Sequence, residues 1–487
     1  MRRMVKLQKG VVLLWVLATI FLGVVIASPS QTSIAADANN DGGQTPAAAN
    51  QDITPKINEY MDAVVKAGKF NGSILVARDG KVLISKGYGM ANFELDVPNT
   101  PQTKFRLGSI TKPFTAMAIM LLQERGKLSV QDSVCKYVSE CPAAWQPITI
   151  HHLLSNTSGL AKHDKAGDYL KTAMMPMTVM QLIDSFRNKP ADFKPGEKFD
   201  YNNNGYILLG YVIEKVSGQS YGAFVKANIF APLKMMDSGY DNHDPIIKNR
   251  AAGYRRDDER VGGELVNANY IDTSQQLSAG GLYSTTEDLW RFDQALYEGR
   301  FLSPKTQDTM FTPVIGSFGP SPTYGYGWFI NKQLDHRAIS HPGGVPGFTS
   351  ILTRFPDNKV LIVLLGNLEN SQVIRVSNDL AAIIFNEKYE VPRERTAVKL
   401  NPKVLTAYVG QYEDRPGRVA TILVENDTLL LKLPGQPAGL PLMAESETQF
   451  FHPIQDIQIA FVKDANGLVT EVTLRLNGRE FHAKRIK

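Results

Sequence analysis

Two stretches far apart in the chain limit its fold most. They are SILVARDGKVLISKGYG, from Ser73, and TSILTRFPDNKVLIVLLGN, from Thr349. Each reads as a β-hairpin. In the first, β-rich runs flank Asp79-Gly80, a strong two-residue turn signal. In the second, Pro356 to Asn358 supply the turn. Between them, roughly over 110–300, the chain is helix-rich with many loops. An amphipathic helix is expected just after Ile53, and another over about Gln372 to Asn386. Strands at both ends and helices between are accounted for by one antiparallel sheet. It is built from both ends around a helical insertion, an α+β domain over 53–391.

Composition turns polar at PRERTAVKLNP, which predicts a linker over 392–402. The remaining residues, 403–487, are different. RVATILVEN, TLLLKLPG, IQIAFVKD, LVTEVTLRLN and REFHAKRI are short β-rich runs. Turn signals such as Asn466-Gly467 and Asn477-Gly478 separate them. This predicts a small antiparallel barrel or sandwich with no obvious constellation for chemistry. There is no internal repeat.

The N-terminus explains the formal charge of +5. Arg2, Arg3, Lys6 and Lys9 precede VVLLWVLATIFLGVVIA, an uncharged run from Val11 to Ala27. A basic start, an apolar centre and small residues after it read as a secretory signal over 1–27, with a cut after Ala27. The protein is then exported, periplasmic or extracellular. The alternative is an uncleaved membrane anchor at 11–27, although this run is at the short end for a span. Taking those four cations from the 53 basic residues leaves 49 against 48 acidic ones. The mature chain is nearly neutral, with no basic tract for nucleic acid. Residues 28–52 are small and polar, without an apolar period, and are expected to be a disordered spacer. Cys135 and Cys141 are the only cysteines. In an oxidising compartment they would close a small loop; the alternative is two thiols.

GSITKPFTAMAIMLLQ, from Gly108, places Ser109 three residues before Lys112 at the head of an apolar helix. Residues three apart on a helix share a face, so the lysine can reach the hydroxyl. Such a lysine, with its pKa lowered by burial or nearby charge, can help take the proton of a serine nucleophile. About two SxxK matches are expected by chance in a chain this long. There are two, SITK at Ser109 and SVCK at Ser133.

Two further stretches separate them. FDYNNNGY offers Tyr201 and Asn203 just before an apolar helix. A YxN match is weak alone, and Tyr240 begins a second one. SHPGGVPGF precedes a strand and holds the only HxG, His341 to Gly343. Glycines there let a backbone approach a ligand closely.

With SxxK, YxN and HxG in this order, the chain resembles the serine β-lactamase and penicillin-binding-protein superfamily. More narrowly it resembles the branch of class C β-lactamases, D-alanyl-D-alanine carboxypeptidases and family VIII esterases. FRLGSITKPFTA, ITIHHLLSNTSGL, SAGGLYSTTEDLWRF and YGYGW share that look. The resemblance covers about Ile53 to Glu387. The tail resembles, more weakly, the lipocalin-like domains that follow such hydrolases. The resemblance implies a β-lactamase/transpeptidase-like fold and an acyl-enzyme on Ser109, activated by Lys112. Tyr201 would shuttle protons. Asn203 would orient Lys112 or substrate, and His341 and Gly343 would line the substrate edge. The backbone N–H groups of Ser109 and Gly344 would form the oxyanion hole. Pro342, lacking an N–H, is excluded from it.

The implied substrate is an amide or ester related to D-amino-acid peptides, β-lactams or small esters. Cell-wall peptidoglycan is a candidate partner. No cofactor and no metal are expected, because His151, His152 and His163 lack suitable companions. The rival reading is a non-turnover module that binds peptidoglycan or β-lactams. Two departures stand out. Many relatives carry lysine where His341 stands, and a histidine is a weaker clamp for a carboxylate. Asn156 stands where histidine is more common.

Overall fold

The computed structural model describes residues 52–162, 173–242, 244–257, 263–299, 301–314, 323–434, 439–453, 455–476 and 479–487. The expected signal or anchor, the spacer up to Gln51, His163 and Asn477-Gly478 lie outside them. Among the described residues, no helix is long and apolar enough to cross a membrane.

Both expected hairpins belong to one antiparallel sheet. Strands β1 (Gly72–Arg78) and β2 (Lys81–Tyr88) turn at Asp79-Gly80. Strands β3 (Thr323–Tyr324), β4 (Phe329–Gln333), β5 (His336–Val345), β6 (Phe348–Phe355) and β7 (Val360–Gly366) come from the other end. Their spatial order is β3-β4-β5-β6-β7-β1-β2. The two ends of the domain therefore meet where β7 pairs with β1, Val363 opposite Leu75.

Alternation of side chains along a strand gives each face its own core. Leu75, Ala77, Leu361, Val363 and Leu365 face the helical insertion. Ile74, Val76, Val360, Ile362 and Leu364 face the opposite way. There they meet helices α1 (Thr54–Lys66) and α6 (Val373–Phe385), the two expected from the sequence. The insertion contributes α2 (Thr111–Glu124), α3 (Ile150–Leu154), α4 (Asn203–Ser217) and α5 (Thr286–Glu298) to the first core. Arg354 of β6 reaches Asp293 of α5 at 2.7 Å, with both side chains buried.

Cys135 and Cys141 form a disulfide. The tail, from Gly410–Arg415 to Arg479–Arg485, is a closed eight-stranded antiparallel barrel. Within its core Tyr408 stacks on Phe461, Phe450 stands edge-on to both, and Tyr412 tilts against Phe461. Closure removes the exposed strand edges that an open sheet would leave.

Candidate active site

The site begins at a turn. Residues Gly108–Ile110 form a 3₁₀ turn that runs into α2. Gly108 has φ +54°, the left-handed region that glycine enters freely. A Cβ there would fall 2.6 Å from the Gly344 nitrogen. A Cβ on Gly343 would fall 2.0 Å from the Leu107 carbonyl oxygen. Ser350 Oγ donates to that same carbonyl at 2.8 Å. Bare backbone on both sides thus seats the serine turn against β5. Beyond Ser340, which pairs with Phe329, β4 offers β5 no further partner. The outer edge from His341 to Val345 is left beside half-buried Ser109.

Lys112 is fully buried. Its Nζ donates to Ser109 Oγ at 3.0 Å, Asn203 Oδ1 at 2.9 Å and the Ala279 carbonyl at 2.9 Å. It also lies 4.7 Å from the centre of the Tyr201 ring and 5.4 Å from that of Tyr206. A buried ammonium with several acceptors is held in one geometry. Tyr201 is half-buried, just before α4, whose N-cap is Asn202. Its ring stacks near Phe329 and stands edge-on to Tyr324.

His341 is sealed. It is 1% exposed. Its Nδ1–H donates to the Pro342 carbonyl at 2.6 Å, and its Nε2 accepts from the Tyr324 hydroxyl at 3.1 Å. Burial, and then the charge of Lys112, push its pKa down to about 3. It is therefore neutral across the working pH range. Its ring, 6.1 Å from that of Tyr201, offers no polar atom that the protein has not already engaged.

The second SxxK is something else. Ser133 caps a 3₁₀ turn and donates to the Gln146 carbonyl at 2.8 Å, while Lys136 pairs with Asp132. Tyr240, of the second YxN, stands edge-on to Tyr221. His152 completes a capping box with Thr149, and His151 bonds the Tyr326 hydroxyl at 2.6 Å. No metal-holding cluster occurs among the described residues.

The fold thus brings Ser109, Lys112, Tyr201 and Asn203 together beside an open strand edge, while His341, expected to line that edge, is sealed behind it. The family model described as Beta-lactamase matches residues 57–385. The chain belongs to the β-lactamase family. In this β-lactamase-family chain the tail, 394–485, matches a domain of unknown function, DUF3471.

Among curated proteins it is 34% identical to penicillin-binding protein 4* of Bacillus subtilis, over 81% of this chain and 90% of that one. It is 29% identical to a teichoic acid D-alanine hydrolase of Staphylococcus aureus, over 68% and 78% of the two chains. Among solved structures it is similar to an octameric penicillin-binding-protein homologue from Pyrococcus abyssi. That match has 28% identity and a TM-score of 0.64, covering 88% of this chain and 99% of the other.

Sequence reasoning missed two parts of this site. The Ala279 carbonyl has no side-chain signature. Tyr324 was visible within YGYGW, but only the fold puts it against His341. Asn156 stood out as a departure, and the structure places it beside the Tyr201 segment.

Proposed function

We propose that this chain is a serine hydrolase that works through an acyl-enzyme on Ser109. The observation that carries this reading is the buried Lys112 ammonium, 3.0 Å from Ser109 Oγ. Before attack the Lys112–Tyr201 pair holds one proton fewer than ammonium plus phenol. Ser109 Oγ bonds to the carbonyl carbon as its proton passes to that pair. That pair returns a proton to the leaving amine or alcohol as the old C–N or C–O bond breaks. Water then bonds to the acyl carbon as it gives a proton to the pair. The pair returns a proton to Ser109 Oγ as the C–Oγ bond breaks and the acid leaves. The N–H groups of Ser109 and Gly344 would hold the oxyanion.

His341 supports a substrate class. A neutral, sealed ring is no clamp for a carboxylate. We assign the chain to neutral amides and esters of D-amino acids, ahead of β-lactams and peptides with a free C-terminal carboxylate. The name of the D-alanine hydrolase relative agrees with this class. A cell-wall D-alanyl ester or amide is the partner expected. The basic and apolar N-terminus and the Cys135–Cys141 disulfide fit an exported protein.

The test is intact-protein mass spectrometry after exposure to a fluorophosphonate and to a fluorescent penicillin. Wild type should gain one adduct, on Ser109, and Ser109→Ala should gain none. Release of the penicillin label over time supports a hydrolase. A label that persists, with no turnover of any ester or D-amino-acid amide, returns the binding-module reading. Labelling of Ser109→Ala equal to wild type would sink the assignment.

A further inference from the structure

Asn156 follows α3 with its backbone at φ +57°, a conformation asparagine tolerates better than most residues. From there it holds the segment carrying Tyr201 at two points. Its carbonyl accepts from the Asp200 amide at 2.9 Å. Its side-chain Oδ1 accepts from the Asn202 amide at 3.0 Å. These two amides flank Tyr201 in the chain. Two more asparagines extend the splice. Asn202 Nδ2 donates to the Leu160 carbonyl at 2.5 Å, and Asn204 Nδ2 to the Ala161 carbonyl at 2.6 Å.

Asn156 is 2% exposed, so these bonds form out of reach of competing water. Its Nδ2 is buried near the Tyr324 hydroxyl without a hydrogen bond of normal geometry. Asn156 supplies a side-chain acceptor at the Tyr201 segment, on a backbone bent to deliver it.

We infer that Asn156 is a positioning residue for Tyr201: it sets where the phenol stands over Lys112 without itself touching substrate. The inference rests on the acyl-transfer reading above. Ser109 is held separately, by the contact of Gly108 with β5. Loss of the Asn156 side chain should therefore disturb proton transfer and leave the nucleophile in place.

The test compares Asn156→Gly with Asn156→Asp. Glycine accepts the backbone angle without strain and removes the side-chain acceptor. Aspartate keeps an oxygen for the Asn202 amide. Steady-state hydrolysis of p-nitrophenyl acetate is followed across pH, with fluorophosphonate labelling of Ser109 alongside. Asn156→Gly should lose about 10–100-fold in kcat with KM within about twofold, because a shift of about 1 Å in a reacting group is that costly. Its pH–rate limb should move, its Ser109 should still label, and Asn156→Asp should retain most of kcat. If the glycine variant does not fold, Asn156→Ser, too short to reach Asn202, takes its place in the same comparison.

An unchanged kcat and pH profile in the variant lacking the acceptor would overturn the inference. So would equal losses in that variant and in Asn156→Asp. Failure of wild type to label at Ser109 would instead sink the acyl-transfer reading, and this inference with it. A wild type that labels beside an unaltered variant sinks the inference alone.

Discussion

Gly108 and Gly344 meet backbone to backbone: a Cβ added to Gly108 would lie 2.6 Å from the Gly344 nitrogen and 2.9 Å from its carbonyl oxygen. This contact joins the serine turn to the strand edge. Gly108→Ala should therefore fail twice. The residue would be strained at φ +54°, and its methyl would push the turn off β5. A loss of about 1–3 kcal/mol in stability is expected. So is a loss of roughly 100-fold or more in kcat/KM, as the oxyanion donors separate. Thermal unfolding and ester hydrolysis on one preparation would check both. Wild-type kcat/KM in Gly108→Ala would show that the contact does not set the site.

His341 predicts an acid limb in stability. Burial, then Lys112, hold it at about 3 in the folded chain, against ~6.5 for an ordinary histidine. Between those values the unfolded chain binds a proton that the folded chain does not. Stability is full above pH ~6.5 and falls as the pH drops, by at most about 1.4 kcal/mol per unit. His452, pushed down to about 4 by burial and by Lys69, acts in the same direction. Urea unfolding at a series of pH values should give a shallower limb for His341→Gln. Parallel limbs would mean that His341 takes up a proton in the native state.

The same histidine predicts a preference. Wild type should favour a methyl ester over the matching free carboxylate. His341→Lys should move kcat/KM toward the carboxylate, by roughly 10-fold if the new cation is partly desolvated and by less if water reaches it. The matched pair is measured in both proteins. An unchanged ratio would place residue 341 outside the range of substrate.

Arg375 predicts how the barrel is fastened. It donates to Asp379 of its own helix at 2.7 Å and to Glu390 of the connecting segment at 3.2 Å. It also lies 3.6 Å from Asp456 of the barrel. Arg375→Ala would leave Asp379 and Asp456 without this partner in a poorly solvated seam, a loss of about 3–5 kcal/mol. Faster proteolysis within 387–401, with Ser109 still open to acylation, is the expected result. Unchanged cleavage would mean that other contacts hold the barrel.

Local pattern determined a good deal here. Each hairpin is written in adjacent residues, because a turn and two alternating runs need no distant partner. Ser109 and Lys112 meet within one helical turn, so their spacing alone announces the pair. The barrel was legible for the same reason, as short runs between turns. Long-range packing decided the rest. Ser133 has the same SxxK spacing, but its lysine finds Asp132 on the surface, whereas Lys112 is driven into the core where Asn203 and Ala279 can reach it. The Ala279 acceptor is a backbone carbonyl, which every residue possesses, so composition cannot mark it. The neutral state of His341 follows from its burial, and burial is a property of the assembled sheet and helices. Asn156 carries the same lesson. Its residue type was plain in the sequence, but its work depends on two amides more than forty residues away that only the folded chain brings within 3.0 Å.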